Sequence, residues 1–289
     1  MSRASSLRGP TLAKRSKSAT TASTAPRRAT LPSAVWIPAA LAIALLVLPL
    51  AALFLRVNWA RVPATLTSPE ALNALGLSLL TATIATALCV VLGVPLALAI
   101  ARAPGPLATV LRALTTLPLV LPPLVGGLAL LSLLGRGGVL GDAFEVLGIR
   151  IPFTTAAVVI AQTFVAMPFL VIAVEGALRG VDSGYERIAE GLGARPWTVL
   201  RRITLPLLAP SLVAGTILCF TRALGEFGAT ALFAGNAEGT TRTMPLAIYT
   251  AFNGAGVTQD AALTLSLLLV LVAVLALLSI RTRPTGIVS

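Results

Sequence analysis

Apolar residues along this chain come in long blocks. Five blocks hold no charge at all: residues 34–55, 74–101, 113–135, 151–174 and 261–280. A sixth, residues 209–235, is as long and as apolar but contains Arg222 and Glu226. Some 20 residues at about 1.5 Å per residue cross a hydrocarbon core of ~30 Å. Lipid offers the backbone no hydrogen-bond partner, so each block must satisfy its own N–H and C=O groups as a helix. The pattern predicts an all-α membrane protein with six transmembrane helices.

The polar residues give the direction of those helices. Of 22 Lys and Arg, five (Arg56, Arg61, Arg136, Arg150 and Arg242) fall in one set of alternate connections, and Arg222 lies inside a span. The other sixteen fall in the N-terminal tail, the C-terminal end and the connections on that side. Basic residues accumulate on the cytoplasmic side, so both termini are predicted to be cytoplasmic. The net charge of +12 is therefore mainly a topology signal and not the mark of a nucleic-acid binder. Only 11% of the 289 residues are charged, against about 25% in soluble proteins. Residues 1–33, rich in Ser, Thr, Ala and Arg without any acid, read as a disordered basic cytoplasmic tail; an organellar transit peptide shares that composition. Residues 34–285 then form one transmembrane domain.

The chain has no histidine and two cysteines, Cys89 and Cys219, both inside apolar blocks. A Cys/His metal site or a histidine-based catalytic scheme has nothing to be built from, so no catalytic or metal-binding residue is predicted. The spans offer a membrane-embedded enzyme only Arg222, Glu226 and scattered hydroxyls. No G-x4-G-K-[ST] motif occurs, and the only lysines, Lys14 and Lys17, lie in the tail, so ATP hydrolysis is not expected in this chain.

One connection is long and mixed in charge, about residues 175–208. Ser183 can cap a short helix. Tyr185, Ile188, Ala189 and Leu192 then fall on one helical face, Gly191 and Gly193 allow a turn, and Pro196 suits the start of a second helix carrying Trp197 and Leu200. The Leu205-Pro206 step is expected to break that second helix. Such a helix–turn–helix either lies in the headgroups or docks on a cytoplasmic partner.

This loop resembles the "EAA" coupling loop of ABC importer permeases, which reads E-A-A, three residues, Gly, nine residues, I-x-L-P. Gly193 is followed after nine residues by Ile203, Thr204, Leu205 and Pro206. Upstream the chain has Arg187, Ile188 and Ala189, with Glu186 one place before. The stretches "RALGEFGAT", "LFAGN", "TRTMPLAIY" and "LPLVLPPLVGGLALL" are similar to the molybdate branch of the molybdate/sulfate oxyanion permeases. The resemblance covers roughly residues 70–285. It implies an ABC importer permease fold, a homodimer in the cell membrane, separate cytoplasmic subunits that bind ATP, and an extracytoplasmic oxyanion-binding protein. Molybdate is the implied substrate, with sulfate, thiosulfate or tungstate as alternatives; an ATP-independent secondary anion transporter is the rival class. Glu186, Ala189, Gly193, Ile203, Leu205 and Pro206 become candidate ATPase-coupling residues.

Arg222 and Glu226 sit four apart near the predicted membrane centre, where an isolated charge costs about 2.5–3.5 kcal/mol. They are expected to face away from lipid, either as an ion pair locking helix packing or as a charged gate on an anion path; a proton relay through Glu226 is a third reading. An oxyanion would suit Arg222, Arg242 or hydroxyls such as Thr221, Thr230 and Thr243. These are equally ordinary helix and loop residues, so no substrate-binding residue is assigned.

Overall fold

The structure, a computed structural model, describes residues 32–182, 184–254 and 259–279. The tail expected over residues 1–33 falls almost wholly outside them, as do Ser183 and its expected cap. Among the described residues all regular structure is helical. The chain falls into two units, residues 1–49 and 50–289. Helix α1 (Trp36–Arg56), apolar up to its last residue and with no buried residue, contributes most of its length to the first. The rest of the description concerns the second.

A short helix α2 (Val62–Leu66) leads into α3 (Pro69–Arg102). The α3 start is written in the sequence: Ser68 accepts the Ala71 N–H at 3.3 Å, Pro69 takes the first turn, and Glu70 meets the positive end of the helix. Its 34 residues reach about 51 Å, more than a bilayer core needs. Helix α7 (Thr155–Gly180) is capped by Thr154 in the same way and is the most buried element. α10 (Leu205–Leu224) completes the central trio. Small residues allow the approach: Ala82, Ala85, Cys89 and Ala97 of α3 meet Ala166, Leu170 and Val174 of α7 and Cys219 and Ala223 of α10. A Cβ on Gly215 would lie 2.9 Å from the Cβ of Ala173. Both thiols are buried in this core, and Cys89 donates to the Thr163 carbonyl at 3.6 Å.

α3 and α7 run parallel, since Cys89 pairs with Thr163 while Gly93 faces Leu170 and Val171. The chain between them must therefore return across the membrane. The path it takes differs from expectation. The third apolar block is two helices, α4 (Gly105–Val120) and α5 (Pro123–Leu134), bent 114° apart at Leu121-Pro122. A trans X-Pro step pushes the preceding residue out of the helical region, and Leu121 is extended with ψ 135. A short outer helix α6 (Gly141–Val146) follows. Among the described residues five helices are long and apolar enough to cross a membrane, and six if the bent pair is one span.

The loop also differs in detail. α7 extends to Gly180, so Glu175 is a helix residue. After α8 (Gly184–Gly191), the short α9 (Pro196–Val199) passes through a π-helical turn (Leu200–Thr204) straight into α10. Pro206 does not break the helix as expected: it sits in the first turn of α10, and the preceding π turn absorbs its missing N–H. Prolines elsewhere inside spans, such as Pro95 and Pro168, are tolerated likewise. The charged block, residues 209–235, is not one helix either. α10 stops at Leu224, and a six-residue α11 (Gly228–Phe233) starts anew. Then come α12 (Met244–Asn253) and α13 (Gln259–Leu278). The Met244 N–H donates to Ser78 of α3 at 2.6 Å, and Asp260 pairs with Arg61 at 3.1 Å, which holds this end against the start of α3.

Candidate functional site

The break between α10 and α11 places Arg222 and Glu226. Arg222 is in the last turn of α10, where a cation meets the negative helix end favourably. The chain turns through Gly225, and Glu226 folds back so that its Oε2 meets Arg222 Nη2 at 2.7 Å. Its Oε1 accepts the Ala229 N–H at 2.8 Å, capping α11. Glu226 is 1% exposed and Arg222 27%, so the carboxylate is enclosed while the guanidinium keeps an open side. The pair read from the sequence is brought together, but across a helix end and not along a continuous helix.

This break lies directly on the other one. A Cβ on Gly228 would come within 2.6 Å of the Cβ of Pro123, and one on Gly127 within 2.8 Å of the Ala229 carbonyl oxygen. Glycine is required at both positions because the opposing atoms belong to backbone or a rigid ring. Two interrupted spans thus meet through their interruptions, a device that exposes helix ends only where protein covers them.

Of the hydroxyls singled out, Thr221 bonds back to the Ile217 and Leu218 carbonyls, while Thr230 and Thr243 are buried without a partner among the described residues. Arg242 is engaged by Asn236 Oδ1 and Glu238, both at 3.1 Å. It knits the loop after α11 together. Gln162 of α7, fully buried and unpartnered among the described residues, was not foreseen; a lone Gln in an apolar block was its only signal.

At the opposite end, α8 and α9 form the surface helix–turn–helix. Gly193 makes the turn with φ +84, a left-handed conformation that favours glycine. Tyr185, Ile188, Leu192 and Trp197 are exposed. Glu186 pairs with Arg102 at the end of α3 at 3.2 Å and accepts the Thr204 hydroxyl from the π turn. Glu186 therefore ties the loop to the π turn, which holds Ile203 and leads into Leu205 and Pro206 of α10; Ala189 lies in α8 and Gly193 in the turn after it. Sequence reading missed a second joint: Glu175, 6% exposed, receives Arg112 of α4 and Arg179, each at 2.7 Å.

Among the described residues the arrangement is that of a helical membrane protein with five candidate spans, or six with the bent pair, whose two interruptions meet beside a charged pair. Residues 90–283 match the model of the binding-protein-dependent transport system inner membrane components, and the chain belongs to that family. It is a multi-pass inner-membrane protein. The chain is 53% identical over 258 residues, 89% of its length and 96% of the relative, to the molybdenum transport system permease protein ModB of Mycobacterium tuberculosis H37Rv. It is 37% identical over 208 residues, 71% of its length and 75% of the relative, to the sulfate transport system permease protein CysT of Escherichia coli K12. Among solved structures, a bacterial ABC transporter importing the acidic polysaccharide alginate aligns over 86% of this chain and 92% of its own with a TM-score of 0.67 at 17% identity. That likeness concerns the fold.

Proposed function

We propose that the chain is the permease subunit of an ATP-driven importer that moves molybdate into the cytoplasm. The observation that carries the substrate is the 53% identity with the mycobacterial molybdenum permease across nearly its whole length. In this reading two copies enclose the path. The basic end of the fold, with α8 and α9, faces the cytoplasm, and both termini lie there. ATP is bound by separate subunits, on which the exposed stripe Tyr185, Ile188, Leu192 and Trp197 docks. An extracytoplasmic binding protein delivers the anion to the other face.

ATP-driven closure of the motor subunits draws the two loops together and opens the path outward; hydrolysis returns it inward. Arg222 supplies the positive charge an oxyanion needs in a low-dielectric path. Glu226 holds that charge in place, so an arriving anion competes for a guanidinium already partly neutralised. Binding is then weak enough to permit release.

Sulfate is the second reading, supported by the similarity to the Escherichia coli sulfate permease. The test is uptake in cells lacking their own importers that express this chain with its ATPase and binding protein. ATP-dependent molybdate uptake that excess sulfate leaves unchanged is expected. Uptake abolished by sulfate moves the substrate to sulfate. Uptake that persists without ATP overturns the importer reading.

A further inference from the structure

We infer that the Arg112–Glu175 pair is a positioning contact that sets the angle of α4 and so transmits movement of the α8–α9 loop to the paired helix breaks; this rests on the permease reading above. Glu175 lies five residues before the end of α7, next to the loop. Its Oε1 receives Arg112 Nη2 at 2.7 Å, Arg112 Nε at 3.1 Å and Arg179 Nη2 at 2.7 Å. A two-pronged guanidinium contact fixes orientation as well as distance. The α3–α4 corner is thus gripped on both sides, by Glu186 on Arg102 and by Glu175 on Arg112.

Beyond this grip α4 is lightly held. Ala108 is its one buried residue, and Val120 at its far end is 80% exposed. A cleft of about 290 Å³ separates it from α7, lined by Leu114, Pro118, Phe164 and Met167 among others. Leu111 beside the grip packs against the core, so α4 is held more firmly at this end than towards Val120 and can pivot about it. The far end of α4 turns through Leu121-Pro122 into Pro123, which touches Gly228, two residues from Glu226. A change at the loop end therefore arrives at the Arg222–Glu226 pair as a tilt of α4. Arg179 lies on the same helix as Glu175 and cannot position α4, which separates the role from mere charge balance.

The test measures radiolabelled molybdate uptake and ATP hydrolysis together, in proteoliposomes holding the whole transporter with its ATPase subunits and binding protein. Arg112→Gln and Glu175→Gln should each lower molybdate moved per ATP about tenfold while hydrolysis continues. Arg112→Lys should restore most of that coupling, and Arg179→Gln should leave it within about twofold. Equal loss in Arg112→Gln and Arg179→Gln, or uptake and hydrolysis falling together in step with recovered complex, would overturn the positioning role. If the wild-type complex hydrolyses ATP but moves neither molybdate nor sulfate, the permease reading fails instead of the pair.

Discussion

At the α10–α11 break, Glu226 is enclosed at 1% exposure and bonded to Arg222 and to a backbone N–H; at the loop, Glu186 keeps 24% exposure and reaches an Arg102 that is 55% exposed. The first carboxylate is immobilised by glycine-to-backbone contacts that leave no slack. The second is a surface tie that a docking partner can alter. Ion pairs weaken as solvent screens them, so the same chemistry serves as a fixed element in one place and an adjustable one in the other. Under the permease reading proposed above, the two serve different needs: a fixed charge at the helix breaks, and a joint that yields when pushed.

The comparison breaks most sharply at Glu226. Glu226→Ala leaves the part-exposed Arg222 without its partner and the Ala229 N–H without an acceptor, and should lower stability by about 2–3 kcal/mol in detergent unfolding. A loss below about 1 kcal/mol would place Glu226 with the surface ties. The double variant Arg222→Ala/Glu226→Ala should recover much of that stability while uptake stays lost, if the pair serves the path as well as packing. Gly127→Ala, pressing on the Ala229 backbone, should cost about 1–3 kcal/mol by the same measurement. Gly193→Ala forces a side chain into the left-handed region and should cost about 1–2 kcal/mol, yet its larger effect should be fewer molybdate ions moved per ATP. Smallest is Arg61→Ala, which removes an exposed pair with Asp260 and should stay within about 0.5 kcal/mol.

Six spans were legible because the hydropathy of each block is dictated locally by the bilayer. Their interruptions were not. "GEF" at residues 225–227 reads as helix because i,i+4 spacing already allows Arg222 to meet Glu226; the break is stabilised by Gly228 lying on Pro123, a contact about a hundred residues away in sequence. Pro206 misled in the other direction, since a proline in a first turn is compatible with a helix and its cost is taken up by the π turn before it. Gly193 was legible as the turn between α8 and α9. Glu175 was not, because a carboxylate near a basic loop looks solvated until Arg112 arrives from another helix.

From Pro196 the chain runs through the π turn to Leu224 as a continuous 29-residue segment. Its foot carries Trp197 and its tip carries Arg222, about 38 Å apart at 1.5 Å per residue. Such a rod is a lever: a tilt of about 5° at the foot sweeps the tip by about 3.3 Å. A small rotation at the surface thus becomes, at the far end, a displacement on the scale of an atom's diameter, and the fixed pair is carried with it.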